Sequence, residues 1–153
     1  MTFLPYNQDF VDHVRNGGAD ANGQPAERTP SNGQGNPCRS CLRDIAKGEE
    51  MLILAARPFP APQPYAETGP IFLHAEACAP WDAEDMPPIL ATSPDYLVKG
   101  YTADDRILYG TGAIVGSGDI AAAVAARLAR AEVAFVDIRS ARNNCFLTRA
   151  IRD

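Results

Sequence analysis

The sequence predicts an α+β domain with a mainly antiparallel sheet of about six strands and one main helix at about residues 119–131. Apolar runs of strand length are separated by turns or proline-rich connections, and one alanine-rich run has apolar residues at helical spacing. The chain has 153 residues, 46% of them hydrophobic and 22% charged, which is typical of one globular domain. We therefore expect a single domain over residues 1–153, with long Pro- and Gly-rich loops.

The longest polar stretch covers residues 16–37. It consists largely of Gly, Asn, Pro and Gln and has almost no apolar residue, so it cannot supply a buried element. A loop of this length inside a compact domain is usually either disordered or functional. We expect residues 16–37 to form a flexible loop, with a lid over a pocket as the alternative.

The middle of the chain alternates apolar runs with proline-rich segments. Residues 38–46 predict a turn or a short helix, and residues 50–57 form an apolar run of strand length. A proline-rich connection follows, because proline can neither donate to a sheet nor sit inside a helix, and residues 71–74 resume as a strand. Residues 75–94, which are rich in proline and acid and include Trp81, predict an irregular flap.

The last third of the chain has a more regular pattern. Residues 96–101 and 106–115 flank a polar turn and predict a β-hairpin. Residues 119–131 place apolar side chains on one helical face. Two final strands are expected at residues 133–140 and 145–151, and strands joined by short turns pair antiparallel.

Charge and hydropathy argue against two classes of partner. A net charge of −5, with only two lysines, argues against a nucleic-acid-binding surface, which needs clustered Lys and Arg. No stretch approaches the roughly 18 apolar residues of a membrane span, and no basic leader with an apolar run is present, so we expect a cytoplasmic protein. A small anionic ligand or a protein partner remains open, and the pattern does not determine the oligomeric state.

One segment matches a dinucleotide-binding fingerprint. Gly116 to Ala121 has the form GxGxxA, an alanine-rich helix follows, and Asp137 comes at the end of the next strand. This pattern suggests a dinucleotide-binding protein, which ranks third, after the metal-site and enzyme hypotheses given below. The context argues against it, because a Rossmann half also needs parallel strands with crossover helices.

The cysteines and one histidine form the clearest site pattern. Cys38 and Cys41 are a C-x2-C pair, and His74 and Cys78 form a second pair about thirty residues later. Four such N and S ligands are what a tetrahedral structural zinc requires, and Cys145 is an alternative ligand. The same spacing is compatible with free thiols that only pack, or with a redox-active C-x2-C pair, and spacing alone does not decide between them.

A catalytic alternative uses the same region. His74 is a candidate general base that Glu67 could orient, and Cys38 is a candidate nucleophile. Arg39 and Arg43 flank the C-x2-C pair and are candidate contacts for an anionic ligand. No nucleophile elbow, phosphate loop or H-E-x-x-H motif accompanies them, so whether the protein is an enzyme is left open.

Several blocks of the sequence together resemble one known family. They are PCRSCLRD at residues 37–44, the Gly-Glu pair at 48–49, the Pro-Tyr pair at 64–65, GPIFLH at 69–74, NCF at 144–146, and Arg149. With these blocks the chain resembles a bacterial family that is number 1203 among the domains of unknown function. The resemblance implies a small stand-alone bacterial domain with no established reaction or ligand. Our leading hypothesis is therefore a binding or accessory protein with a Cys/His site that holds structural zinc.

Overall fold

A computed structural model describes all 153 residues, which form eight strands, two α-helices and two 3₁₀ helices. The strands are β1 (Thr2–Leu4), β2 (Glu27–Pro30), β3 (Glu50–Ala56), β4 (Gly69–His74), β5 (Asp95–Tyr101), β6 (Ala113–Gly116), β7 (Phe135–Ser140) and β8 (Phe146–Ile151). The helices are α1 (Gln8–Arg15), α2 (Ile120–Leu128) and the 3₁₀ turns Pro88–Ala91 and Ser117–Asp119. Neither α-helix is long and apolar enough to cross a membrane.

The strands form two antiparallel sheets. The larger sheet has the order β1-β8-β7-β5-β6, and the smaller has the order β2-β3-β4. Every pairing within them is antiparallel. The predicted α+β class is confirmed, although the strands divide between two sheets and are more numerous than we expected.

The N-terminal third contains elements that the sequence pattern did not predict. Residues 16–37, for which we expected a loop, include β2, so the segment is not loop throughout. This strand has only polar residues and proline, and it pairs along one side with β3, so it needs no apolar alternation. Helix α1 precedes it, where Asn7 caps the helix by accepting a hydrogen bond from the Phe10 amide at 3.0 Å.

Two predicted elements were too long, and one segment predicted to be irregular contains a short 3₁₀ turn. The expected helix at residues 119–131 is regular only over Ile120–Leu128. The second hairpin strand, expected at residues 106–115, is a continuous strand only over Ala113–Gly116, with one further antiparallel bridge between Ile107 and Tyr101 of β5. The expected irregular flap at residues 75–94 contains the 3₁₀ turn Pro88–Ala91.

A hydrophobic core lies between α2 and the five-stranded sheet. The helix buries Ile120, Val124 and Leu128, which are spaced four residues apart and so lie on one face. They pack with fully buried side chains from the sheet, including Val98 and Ile138. Full burial of such a side chain contributes about 1.5–3 kcal/mol, so this face fixes the helix on the sheet.

A second core lies against the three-stranded sheet and carries the cysteines. Val11 and Val14 of α1 are buried in it, and Cys38 and Cys41 belong to the same cluster. The sheet contributes alternating residues of two strands: Leu52, Leu54 and Ala56 from β3, and Ile71 and Leu73 from β4. The C-x2-C pair is therefore part of a packed core.

The opposite face of the five-stranded sheet carries charged residues. Asp137 on β7 lies between Lys99 on β5 and Arg149 on β8 in the strand register. The Asp137 side chain is fully buried and accepts hydrogen bonds from Arg149 Nε at 2.7 Å and Nη2 at 3.1 Å. Arg139 lies two residues further along β7, on the same face, because side chains alternate along a strand.

Candidate metal centre

Cys38, Cys41, His74 and Cys78 lie together in the structure, as their spacing in the sequence suggested. Their ligand atoms all lie within 4.8 Å of one another. Cys38 Sγ is 3.8 Å from Cys78 Sγ, and Cys41 Sγ is 3.6 Å from His74 Nδ1. We call these four residues the Cys/His cluster; it could hold a metal ion.

A tight hairpin positions the first two cysteines. Pro37 and Asp44 pair as an antiparallel bridge, and the Cys38 amide donates to the Arg43 carbonyl at 2.9 Å. Leu42 adopts a left-handed conformation with φ of 52°, which turns the chain directly after Cys41. Cys38 Sγ accepts a hydrogen bond from the His74 amide at 3.4 Å. Such a donor favours the thiolate form that metal ligation requires.

His74 is the last residue of β4, and a carboxylate orients its ring. His74 Nε2 lies 3.0 Å from Glu49 Oε2, so Nδ1 is the nitrogen that faces the sulfurs. Glu49 is adjacent to β3, which pairs with β4 and places Met51 opposite His74. A carboxylate on the outer nitrogen is the usual partner of a metal-binding histidine, because it fixes the ring orientation and raises the basicity of the inner nitrogen.

Cys78 follows β4 and contacts the end of α1. Arg15 Nη2 donates to Cys78 Sγ at 3.1 Å, and Arg15 Nε donates to the His74 carbonyl at 3.1 Å. Hydrogen bonds from the Cys38 and Cys41 thiols, followed by the contact with Arg15, lower the pKa of Cys78. Hydrogen bonds with the thiols of Cys38 and Cys78 raise the pKa of Cys41. Of the three thiols, only that of Cys78 has a lowered pKa.

The cluster is buried on one side and accessible on the other. Cys38 is 0% exposed and Cys41 is 7% exposed, whereas the side chain of His74 is 19% exposed. A cleft of about 470 Å³ adjoins His74 and Cys78 and is lined by three acidic side chains, those of Glu49, Glu50 and Glu76. An ion can reach the cluster from this side.

Two predicted site residues lie elsewhere. Cys145 is outside the Cys/His cluster, and its sulfur lies 3.7 Å from the Asn143 carbonyl. Glu67 does not orient His74; it contacts Arg139 Nη1 at 2.9 Å. The reason is the extended strand between them, because β4 advances about 3.3 Å per residue and carries His74 to its far end. Glu49 takes the position that we had expected Glu67 to occupy.

The two arginines beside the C-x2-C pair have different surroundings. Arg39 is 3% exposed and donates to the carbonyls of Phe146 at 2.7 Å and Pro37 at 2.6 Å, and burial lowers its pKa to about 10. Its guanidinium therefore links the hairpin to β8. Arg43 is exposed and lies over the ring of Trp81, with its Cζ 5.7 Å from the ring centroid. Of the two, only Arg43 faces solvent.

The Gly116 to Ala121 segment does not have the geometry of a dinucleotide site. Strands β6 and β7 are separated by the antiparallel β5, whereas a Rossmann unit needs adjacent parallel strands. Neither Gly116 nor Gly118 has a positive φ or a crowded backbone, so neither position requires glycine. Asp137, the expected ribose contact, is buried against Arg149.

Two residues that contact the Cys/His cluster, Glu49 and Arg15, were not predicted from the sequence. Glu49 could have been found from the antiparallel pairing of β3 and β4. This pairing brings the start of β3, next to Glu49, beside the end of β4 at His74. The position of Arg15 could have been predicted only with α1, of which it is the last residue. The apolar residues Val11 and Val14 have the spacing of one helical face and are the signal for this helix.

Comparison with known proteins identifies a family. No curated protein and no solved structure matches the chain significantly. One family model, described as "Protein of unknown function (DUF1203)", matches residues 35–152, and this range includes the whole Cys/His cluster but not Arg15. The resemblance inferred from the sequence blocks is confirmed. Since the match covers well over half of the chain, the protein belongs to the family DUF1203.

Proposed function

We propose that this protein is a binding or accessory domain of the bacterial cytoplasm in which the Cys/His cluster holds a structural zinc ion. The observation that carries the proposal is the separation of the ligand atoms. Zn–S bonds near 2.3 Å and Zn–N bonds near 2.0–2.1 Å, at tetrahedral angles, set S–S and S–N separations of about 3.8 and 3.6 Å. The cluster has separations of 3.8 Å between two sulfurs and 3.6 Å between Cys41 Sγ and His74 Nδ1.

The donor set supports zinc over other divalent ions. Three thiolates and one imidazole are soft or borderline ligands, whereas magnesium and calcium prefer oxygen. Four protein ligands complete a tetrahedral shell, which is typical of a structural zinc, since a catalytic zinc keeps one position open. Three thiolates around a divalent cation leave one negative charge, and the Arg15 guanidinium at 3.1 Å from Cys78 Sγ lies where it offsets that charge.

The position of the cluster supports a stabilising role. It joins the C-x2-C hairpin, the end of β4 and the loop after β4, which are distant in sequence. The thiols must be reduced to bind metal, and all four cysteines are free, which fits a reducing compartment such as the cytoplasm. The net charge of −5 supports partners other than nucleic acid.

An enzyme is the second candidate, and one contact favours it. The His74–Glu49 pair at 3.0 Å has the arrangement of a general base with its orienting carboxylate, and it opens on the acidic cleft. Cys38 is a weaker candidate nucleophile, because it is fully buried. Substituting His74 by Ala separates the two functions: loss of metal and stability supports the zinc site, whereas an unchanged fold with bound metal supports catalysis.

The test is the metal content of protein purified without chelator or affinity metal. Mass spectrometry should find about one zinc per chain, and Cys78→Ser should lose it, because the variant removes one of four ligands. Cys145→Ser is the matched control, since it removes a thiol outside the cluster, and it should keep the zinc. Metal-free protein whose cysteines all react rapidly with a thiol reagent would contradict the proposal.

A further inference from the structure

A second polar cavity lies away from the Cys/His cluster, between the start of β4 and the turn that joins β7 to β8. Its volume is about 250 Å³, room for about eight water molecules at liquid density. Its polar lining consists of Glu67, Thr68, Arg139, Asn143, Asn144 and Cys145. Thr68 and Asn143 make no side-chain hydrogen bond within the protein, so their polar groups are free for a ligand.

The floor of this cavity contains a buried cation with unused donors. The side chain of Arg139 is only 4% exposed. Its Nη1 donates to Glu67 Oε2 at 2.9 Å and to the Asn144 carbonyl at 3.1 Å, but its Nε and Nη2 have no hydrogen-bond partner. Asp137 lies 3.8 Å from Nη2, beyond hydrogen-bond distance, and both of its oxygens bind Arg149. These two nitrogens have no exposed surface, so leaving them without partners is costly, and the carboxylates of the protein do not fully satisfy Arg139.

The charged side chains linked to Arg139 also include one more cation than anions. Three cations, Lys99, Arg139 and Arg149, pair with two carboxylates, Asp137 and Glu67, and of these five only Arg139 and Glu67 line the cavity. Burial, and after it the neighbouring Arg139, lower the pKa of Lys99, while Glu67 and Asp137 act in the opposite direction. A third carboxylate would balance the group.

The position of Glu67 shows where a carboxylate fits. Its Oε2 accepts from Arg139 Nη1 at 2.9 Å and from Asn144 Nδ2 at 3.3 Å, while its Oε1 lies 3.7 Å from Lys99 Nζ. The Glu67 side chain is 42% exposed and lies in the connection before β4, so it can turn fully towards Lys99. The donors on Arg139 and Asn144 would then be available to another carboxylate.

We propose that this cavity binds a small carboxylate ligand, which accepts hydrogen bonds from Arg139 and Asn144 while Glu67 pairs with Lys99. Three cations then face three carboxylates. Thr68 and Asn143 supply further hydrogen bonds, and Phe146 and Pro70 form the apolar part of the wall. The small volume limits the ligand to a few carbon atoms.

Cys145 provides the test, because its side chain lines the cavity and is not in the Cys/His cluster. Iodoacetate and iodoacetamide both alkylate a thiolate, with formation of an S–C bond and loss of iodide, but only iodoacetate carries a carboxylate. Peptide mass spectrometry measures the rate of modification of Cys145 by each reagent. The ratio of the iodoacetate rate to the iodoacetamide rate should be about tenfold higher for Cys145 than for free cysteine. Millimolar acetate or propionate should slow the reaction with iodoacetate.

Three variants sharpen the test. Glu67→Gln should raise the preference for iodoacetate, because it removes the competing carboxylate, and Arg139→Gln should abolish it. Arg142→Gln is the control, since it removes an exposed cation of the same turn and should leave the preference unchanged. If Arg139→Gln does not fold, Glu67→Gln still decides. No preference for iodoacetate in either the wild type or Glu67→Gln, or protection by inorganic phosphate but not by acetate, would overturn the proposal.

Discussion

The two halves of the molecule bury polar side chains in different ways. In the three-stranded half, three thiols and an imidazole lie within 4.8 Å of one another and their only charged protein contacts are Arg15 and Glu49. In the five-stranded half, Asp137 is fully buried but its oxygens are paired with a guanidinium by two hydrogen bonds. One half gathers four potential metal ligands, and the other pairs its buried carboxylate with a guanidinium of its own chain.

This difference separates two sources of stability. Ionised thiolates at such short distances repel one another, so the three-stranded half gains most from a metal ion, whose binding free energy becomes folding free energy. The charged face of the five-stranded half is held by strand register, which places Lys99 and Arg149 on either side of Asp137. Its stability should not depend on a bound metal.

The largest expected effect is that of metal removal. Treatment with a chelator should raise amide hydrogen exchange in the C-x2-C hairpin and at the ends of β3 and β4, because these segments lose the ion that joins them. The strands β5, β7 and β8 should keep their protection. Hydrogen-exchange mass spectrometry before and after chelation measures both regions in one sample.

The control is the same chelated sample with zinc added in excess, which should restore the original protection. A uniform rise in exchange across both sheets would show that the two halves unfold together, which would contradict separate sources of stability for them. No change in either region would show that the cluster does not use a metal for stability.

Breaking the buried ion pair in the other half is the next effect. Asp137→Ala leaves Arg149, Arg139 and Lys99 without their buried carboxylate, and loss of one partner of a buried pair costs about 3–5 kcal/mol. The free energy of unfolding from urea titration measures the loss. Asp95→Ala is the matched control, because Asp95 pairs with the exposed Arg142, and such a surface pair contributes about 0–1 kcal/mol. Equal effects of the two variants would contradict the assignment of stability to the buried network.

A feature of the fold or the site could be predicted from the sequence where it depends on residues that are close together in the chain. β3, β4 and α2 carry apolar patterns that depend only on local periodicity, so their positions were predicted within a few residues. The Cys/His cluster could be proposed because each of its two pairs is close in sequence. β2 was missed because an edge strand of polar residues has no such pattern.

The cavity beside Arg139 could not be predicted in the same way. Its polar groups come from the connection before β4 and from the turn after β7, and they meet only because the two sheets lie next to each other. The register of β7 against β8 also shifts between Ile138 and Arg139, so a regular pairing would have misplaced Arg139. Neither the sheet division nor this irregularity has a local signal in the sequence.

A smaller effect should come from the carboxylate behind His74. Glu49→Gln keeps the size of the side chain but weakens the contact with His74 Nε2, and loss of such an outer contact typically lowers metal affinity about 10- to 100-fold. Competition with a chromophoric zinc chelator measures the change. Glu50→Gln is the control, because it removes a neighbouring acid of the same cleft that does not contact His74. Equal loss in both variants would mean that the charge of the cleft, rather than ring orientation, sets the affinity.

The smallest effect should come from Gly118→Ala. This variant tests whether the backbone at Gly118 requires glycine, as it would in a dinucleotide-binding turn. Nothing lies within 4 Å of a Cβ at Gly118, and its φ is not positive. Alanine should therefore be neutral or stabilise by about 0.4–1 kcal/mol, because it reduces the conformational entropy of the unfolded chain. Urea unfolding of Gly118→Ala measures this, with Gly110→Ala as the contrasting variant, since Gly110 has φ of 87° and should be destabilised by alanine. A marked loss of stability in Gly118→Ala would show that the backbone there is under a constraint that this structure does not show. A turn built around a bound pyrophosphate would impose such a constraint.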